Sequence, residues 1–349
     1  MKKVLYTFMC ASLIGAAAFM FTACSMEETT TPAAEIQVAN QTPETTVLPE
    51  TTTQEATTQP EDIPAYVLVN HRSGQTYVPI NPQRVIVFDM GALDTLQYLG
   101  LSDRVVGLPK NTVPPHLHDF LDDTFANVGT LHEPNFEELV RHEFDLIIIS
   151  GRARPSFDEL SQLAPVIDLG LQVGDQMATF VENTTYLGRI FQMEDQVADL
   201  LERIDNEVQA INDLANQLEM SALIVLYNSG AISAFGPSGR FALIHDYLGV
   251  PTADPAIEVI NHGMAISYEY IVDTNPDILF VINRNYAMDE DTINLADFED
   301  NELIQLTSAY GNGNIHYLNS WVWYVAPGGA SGKQEQMAGV RHALENAIR

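Results

Sequence analysis

Residues 135–152 and 267–284 read as two copies of one segment, and each copy ends in an arginine. At a constant offset Glu137 meets Glu269, Val140 meets Val272, Asp145 meets Asp277 and Arg152 meets Arg284. Elsewhere in the segment branched apolar residues replace one another, Leu146-Ile-Ile-Ile149 against Ile278-Leu-Phe-Val281. A unit duplicated in this way makes two similar lobes, with an arginine at the equivalent place in each. Two lobes enclose a cleft, and the paired arginines belong on its walls.

The pattern around the repeat is that of an α/β chain. Val85–Asp89, Val105–Leu108, Leu146–Ser150, Val166–Leu169, Ala222–Tyr227, Ala231–Phe235, Asp277–Ile282 and Ile315–Leu318 read as strands. Several are almost continuously apolar, as strands covered on both faces are. Leu93–Leu99 and Glu137–His142 read as short helices between them. In the middle, Val197, Leu200, Leu201, Ile204, Val208, Ile211, Leu214 and Leu218 recur at steps of three and four. That spacing predicts one long amphipathic helix over 183–218. The expected fold is therefore two Rossmann-like lobes, 63–182 and 219–349, joined by that helix. A helical connection predicts a nearly fixed angle between the lobes and a small closing motion.

The first residues are a leader rather than fold. Lys2 and Lys3 precede an apolar run from Val4 to Phe21, and Phe21-Thr-Ala-Cys24 places small residues before a cysteine. This is the layout of a secretory signal. A transmembrane anchor is the competing reading, but the run is near the lower limit for spanning. Residues 25–62 are rich in Thr, Pro, Glu and Gln and contain no Lys or Arg, a composition expected of a disordered spacer. Cys10 and Cys24 are the only cysteines, so the domain after the leader has neither a disulfide nor thiol chemistry.

A formal net charge of −31 disfavours nucleic acid and anionic membrane surfaces as partners. Any anion this protein binds must be held by a few local cations. Arg152 and Arg284 each follow a strand closely, and in open α/β sheets ligands bind at the carboxyl ends of the strands. Arg240 joins them as the third candidate. It ends the glycine-rich loop Phe235-Gly-Pro-Ser-Gly-Arg240, and between Asp205 and Gly332 only Arg240 and Arg284 carry a fixed positive charge. Guanidinium groups make forked bonds to paired oxygens, so three in one cleft would suit a polyanionic ligand. The alternative is that each arginine pairs with a local acid.

Other chemistry is weakly signalled. His262, in a loop before the second repeat, and Tyr324, in Trp321-Val-Trp-Tyr-Val325, read on their own as a surface histidine and a core tyrosine. Gly328-Gly-Ala-Ser-Gly-Lys333 lacks the first glycine and the final Ser or Thr of a phosphate loop. His116 and His118, beside Pro114-Pro115, read as a solvated loop. No catalytic constellation emerges.

Four strings carry a family resemblance: Phe88-Asp-Met-Gly-Ala-Leu-Asp-Thr-Leu96, Asn127-Val-Gly-Thr-Leu-His-Glu-Pro-Asn-Phe-Glu137, Ile147-Ile-Ile-Ser-Gly-Arg152 and Ile244-His-Asp246. Over roughly residues 66–349 the chain resembles the substrate-binding lipoproteins of siderophore ABC importers, above all the ferric catecholate and petrobactin binders. The resemblance implies a lipoprotein signal over 1–24 with Cys24 lipidated, although Phe21 stands where leucine is usual. It places the family's arginine triad, which contacts catecholate oxygens, on Arg152, Arg240 and Arg284. It places the family's iron-coordinating pair on His262 and Tyr324, and the lobe carboxylates that dock on the permease on Glu137 and Glu269.

The function so implied is capture of an Fe(III)-siderophore by a monomer with no permanent cofactor. The protein would be lipid-anchored on the extracytoplasmic face of the cell membrane and would deliver its cargo to an ABC permease dimer. Haem or cobalamin binding on the same fold is the alternative. A metal-dependent enzyme would need an acid–base cluster, and a bare Mn or Zn carrier would need several converging His and carboxylate ligands, of which only His262 is placed for the task. The scarcity of basic residues departs from the family, so either three arginines suffice or the ligand is less anionic than a tris-catecholate.

Overall fold

The computed structural model describes residues 65–286 and 296–347. The leader, the spacer and Cys24 lie outside the described residues. A hairpin of β1 (Tyr66–His71) and β2 (Gly74–Pro79) comes first, a two-stranded sheet of its own whose Val67, Val69 and Val78 pack into the first lobe's core. The first lobe then runs β3 (Val85–Val87), α1 (Met90–Tyr98), β4 (Val105–Leu108), β5 (Ala126–Asn127), α2 (Phe136–Leu139), β6 (Leu146–Ile149), α3 (Phe157–Leu160) and β7 (Val166–Asp168). These five strands form a wholly parallel sheet in the order β5-β4-β3-β6-β7.

Two helices lead to the second lobe, α4 (Gln176–Phe191) and α5 (Glu194–Leu218). There follow β8 (Ala222–Asn228), β9 (Ala231–Phe235), β10 (Met264–Ile266), α6 (Tyr268–Thr274), β11 (Ile278–Asn283), α7 (Ala296–Glu299), α8 (Ser308–Gly311), β12 (Ile315–Leu318) and α9 (Ala330–Ala347). The second sheet, β10-β9-β8-β11-β12, is mixed. Strands β8, β11 and β12 are parallel, whereas β9 and β10 run antiparallel to their neighbours.

The segment expected as one helix over 183–218 is two. Gln192 adopts a left-handed conformation (φ 58°) and ends α4, and the next helix starts two residues later at Glu194. The recurring apolar positions belong to α5. Val197 packs in a core beneath the first sheet, while Leu200, Ile204 and Ile211 pack in the core of the second. A single 25-residue helix therefore touches both cores. The C-terminal helix α9 and the β1–β2 hairpin have no counterpart among the sequence expectations.

Each sheet is covered on both faces, as its apolar strands require. Ile148 and Ile147 of β6 face opposite cores, and so do Phe280 and Leu279 of β11. The repeat is visible in the scaffold. Asn135 and Ser267 occupy the same position in the two copies, and each side chain caps the helix that follows by accepting from the backbone N–H three residues on. Asp145 accepts from the backbone N–H groups of Gln83 (2.8 Å) and Arg84 (3.0 Å), just before β3. Asp277 accepts from the N–H (2.8 Å) and hydroxyl (2.9 Å) of Ser221, just before β8. Each aspartate thus ties its own strand to the start of the strand beside it.

One segment belongs to both lobes. In the π-helical turn Trp321–Val325 and the residue after it, Trp321, Val325 and Ala326 pack into the first lobe's core, while Val322 and Trp323 pack into the second's. This shared turn carries Tyr324.

Candidate functional site

Tyr324 is where the three candidate arginines meet. Arg284, immediately after β11, donates through Nε to the Tyr324 hydroxyl (3.1 Å) and through Nη1 to the Asn228 side-chain oxygen (3.3 Å). Arg240 lays its guanidinium over the phenol ring, 4.2 Å from the centroid, and donates Nη2 to the Tyr324 carbonyl (3.0 Å). Arg152, from the other lobe, donates to the same carbonyl (3.0 Å) and to that of Val325 (3.4 Å). Its guanidinium stands 5.9 Å from the ring and that of Arg284 5.8 Å. A cation over an aromatic face contributes roughly 0.5–2 kcal/mol, so the ring partly offsets three like charges.

Local structure explains how each arginine arrives there. Arg152 lies three residues beyond β6, and Arg284 extends β11, so both stand at the carboxyl rim of a parallel ladder. The Arg240 loop is shaped by Ser238, which is left-handed (φ 58°), and by a bond from the Gly239 N–H to the Gly236 carbonyl (3.2 Å). Gln176, at the start of α4, donates to the Arg240 carbonyl (2.5 Å) and holds the loop against the connection between lobes.

Among the described residues, no carboxylate lies within ion-pair distance of Arg152, Arg240 or Arg284. Arg154, two residues further on, shows the contrast. It is paired with buried Asp168 at 2.5 Å, which also accepts from Ser73 and the Gly170 N–H. The three cleft arginines instead use backbone carbonyls, an amide oxygen and a phenol. The alternative of local acid pairing therefore describes Arg154 and not them. Asp89 is the acid that feels Arg152. Burial raises its pKa, and the opposing bonds from Ala92 and Ser150 and the charge of Arg152 do not bring it back.

Electrostatics follow from this packing. Burial alone would push the Tyr324 hydroxyl up, but the bond from Arg284 and the charges of Arg240, Arg284 and Arg152 outweigh it, so the phenol ionises below its ordinary range. Burial lowers the Arg240 pKa, and Arg152 and Arg284 push the same way against the favourable tyrosine. The cluster is a local concentration of positive charge in a strongly acidic chain.

His262 is not part of it. It lies exposed in the turn before β10, and no hydrogen bond or ion pair joins it to the arginines or to Tyr324. It is nonetheless a near neighbour of the Arg240 loop. The next residue, Gly263, sits so close to Phe235 that a Cβ there would come within 2.6 Å of the ring. Glu137 and Glu269 are both exposed in the first turn of α2 and α6. Since each helix precedes a parallel strand, its first turn lies toward the carboxyl rim.

The site has partners that sequence patterns do not signal. The carbonyls of Tyr324 and Val325 and the side chain of Asn228 complete the arginine bonding, and main-chain acceptors have no residue signature. A concavity of about 340 Å³ lies elsewhere, between β12 and the His342 face of α9, and includes none of the three arginines. Near the cluster itself the Tyr324 ring fills the space between the guanidiniums. Among the described residues no three His, Cys, Asp or Glu side chains converge in a way that would hold a bare metal ion. No helix of the described residues is long and apolar enough to cross a membrane.

Comparison with known proteins gives one consistent picture. Residues 85–321 match the family described as periplasmic binding protein. The petrobactin-binding protein YclQ of Bacillus subtilis is 43% identical over 270 residues, 77% of this chain and 85% of the relative. The ferric-anguibactin-binding protein FatB of Vibrio anguillarum is 29% identical over 76% of this chain and 83% of its own length. Among solved structures, the periplasmic catecholate-siderophore binding protein VctP of Vibrio cholerae superposes with a TM-score of 0.76 at 31% identity, covering 80% of this chain and all (100%) of the other.

Proposed function

The chain belongs to the periplasmic binding protein family, and from that premise we propose that it captures a ferric siderophore of the catecholate type outside the cytoplasm and hands it to an ABC permease for iron uptake. It binds its cargo and performs no reaction on it. The observation that carries the ligand class is the arginine cluster: three guanidiniums from both lobes, free of carboxylates, gathered around Tyr324, whose aryl hydroxyl accepts from Arg284. A catecholate presents the same kind of oxygen with more charge. Each charge-assisted bond contributes about 1.5–3 kcal/mol, so replacing carbonyl and phenol acceptors by aryl oxyanions favours binding.

In this reading Arg152, Arg240 and Arg284 hold the anionic oxygens. Tyr324 and His262 ligate iron when the siderophore leaves coordination positions open. Phenolate is a hard donor suited to Fe(III), and the arginines already favour its ionised form. His262 would have to come in from its exposed turn, which ties its use to a small closure around the cargo. The iron arrives with its own ligands, in keeping with the lack of a converging protein cage among the described residues. Glu137 and Glu269 would dock on the permease, one from each lobe, and Cys24 would carry the lipid that keeps the protein at the membrane.

The test is a fluorescence-quenching titration, for which Trp321 and Trp323, within the shared turn, are built-in reporters. Ferric bis- and tris-catecholates should quench, and Arg240→Ala with Arg284→Ala should abolish the response while thermal unfolding stays cooperative. Tight binding of haem or cobalamin by the wild type, with no response to catecholates, would refute the siderophore reading. Unchanged affinity in the double variant would refute the arginine assignment alone.

A further inference from the structure

The glycine run that fails as a phosphate loop has another explanation in the structure. Residues 328–329 turn the chain from the shared segment into α9, and α1 of the first lobe is packed directly against them. A Cβ on Gly91 would come within 2.8 Å of the Gly328 carbonyl carbon, and a Cβ on Gly329 would come within 1.9 Å of an Asp94 carboxylate oxygen. The backbones can meet because Gly91 has no Cβ, and the Asp94 carboxylate fits against the turn because Gly329 has none.

What the close approach allows is a cap supplied across the interface. Asp94 Oδ2 accepts from the Gly332 N–H (2.7 Å), and the Thr95 hydroxyl accepts from the Ala330 N–H (3.2 Å) while donating to the Gly91 carbonyl (3.0 Å). Both side chains are almost wholly buried (0% and 1% exposed). The first N–H groups of a helix have no partner within it, and here a helix of the other lobe provides them. Burial raises the Asp94 pKa, and the bonds from Gly332 and Ser331 oppose that shift. The other oxygen, Oδ1, makes no hydrogen bond, and His116 Nε2 stands 3.9 Å from it.

A second buried chain continues from the same turn of α9. Lys333 Nζ donates to the Gln336 side-chain oxygen (2.8 Å), and Gln336 Nε2 donates to the Val322 carbonyl (2.6 Å). The first turn of α9 is thus gripped by α1 on one side and is bonded to the Tyr324-bearing turn on the other. Arg152, Arg240 and Arg284 all direct their donors at that turn.

We propose that Asp94 and Thr95 are positioning residues of the ligand cleft: by capping α9 from the opposite lobe they fix the angle between lobes and the place of Tyr324 among the arginines. They touch no ligand and act through the shared turn. The part of this inference that concerns affinity rests on the ligand reading given above, whereas the part that concerns lobe geometry does not.

The experiment therefore measures both. Spin labels are placed at Glu159→Cys in α3 and Asp273→Cys in α6, both exposed, in the full-length chain with Cys10 and Cys24 replaced by serine. Wild type should give one narrow interlobe distance distribution. Asp94→Ala, Thr95→Val and Gly329→Ala should each broaden it, and Asp94→Asn, which keeps an acceptor in place, should stay close to the narrow wild-type distribution. Affinity for a ferric bis-catecholate should fall with the fraction of molecules in the binding geometry, about tenfold if one in ten retains it. A wild-type distribution in both Thr95→Val and Gly329→Ala would overturn the proposal, whatever Asp94→Ala does and whatever ligand the protein binds. If the distributions broaden while the wild type ignores ferric catecholates, the positioning role stands and the ligand reading falls.

Discussion

The two copies of the repeat do the same structural work and contribute unequally to the arginine cluster. Asn135 and Ser267 cap equivalent helices, Asp145 and Asp277 brace equivalent strands, and Arg152 and Arg284 end up on equivalent rims. Around them the lobes diverge. The first sheet is wholly parallel, and Arg152 is the only member of the cluster that it offers. The second sheet adds β9 and β10 in antiparallel sense. The loop that leaves β9 carries Arg240, and the turn that enters β10 carries His262. Duplication sets the frame, and the antiparallel addition equips one side of it. The equipment is also held differently. Arg152 reaches only main-chain carbonyls, whereas Arg284 bonds a hydroxyl and an amide side chain.

That asymmetry should show most strongly in ligand affinity. Losing one guanidinium that makes charge-assisted bonds costs about 1.5–3 kcal/mol, or roughly 10- to 150-fold. Arg284→Ala should fall at the upper end for a ferric bis-catecholate and Arg152→Ala at the lower, as read by fluorescence quenching. Equal losses would mean that the lobes share the load evenly.

The scaffold should behave in the opposite way. Asp145→Ala and Asp277→Ala each strand two donors beside a strand, and each should lower unfolding stability by about 1–3 kcal/mol in urea denaturation. A large difference between them would break the equivalence of the two copies. The caps test the same symmetry at smaller scale. Asn135→Ala and Ser267→Ala should each cost about 1 kcal/mol.

The smallest effect concerns Tyr324 and is predicted as a direction. A tyrosine whose folded-state pKa is depressed contributes stability that is present above its unfolded pKa and is lost as pH falls through the folded value. Tyr324→Phe should therefore lose more stability at alkaline pH than at neutral pH. In an ultraviolet titration of the wild-type background, Arg284→Ala should move the tyrosinate transition further upward than Arg152→Ala, because only Arg284 donates to the hydroxyl. An equal displacement would assign the effect to charge alone.

Much of the frame was legible because it is written in local periodicity. Short apolar runs bounded by polar residues mark β4, β6, β9 and β12 at or within a residue of their observed ends, and steps of three and four mark the buried stripe of α5. The break at Gln192 was not legible, since a left-handed glutamine has no pattern that distinguishes it from a helical one. Helix α9 was hidden by a glycine-rich start that reads as a loop until the packing of α1 accounts for it. In the candidate site, Arg152 and Arg284 beyond the ends of parallel strands follow from topology plus residue type, whereas Arg240 follows an antiparallel strand and joins them only through its loop. Tyr324 does not follow, for an aromatic run reads as core.

The amino-acid sequence alone determined the duplication, the two-lobed α/β class, the exported acidic character and the arginines as the few cations able to face a cleft. Each of these depends on composition or on neighbours a few residues apart. Only the tertiary structure decided that a turn shared by both cores would bring Tyr324 under all three arginines and leave His262 outside. That outcome depends on main-chain carbonyls and on contacts between residues more than a hundred positions apart, such as Asp94 with Gly332 and Arg152 with Tyr324. Neither leaves a periodic trace in the chain.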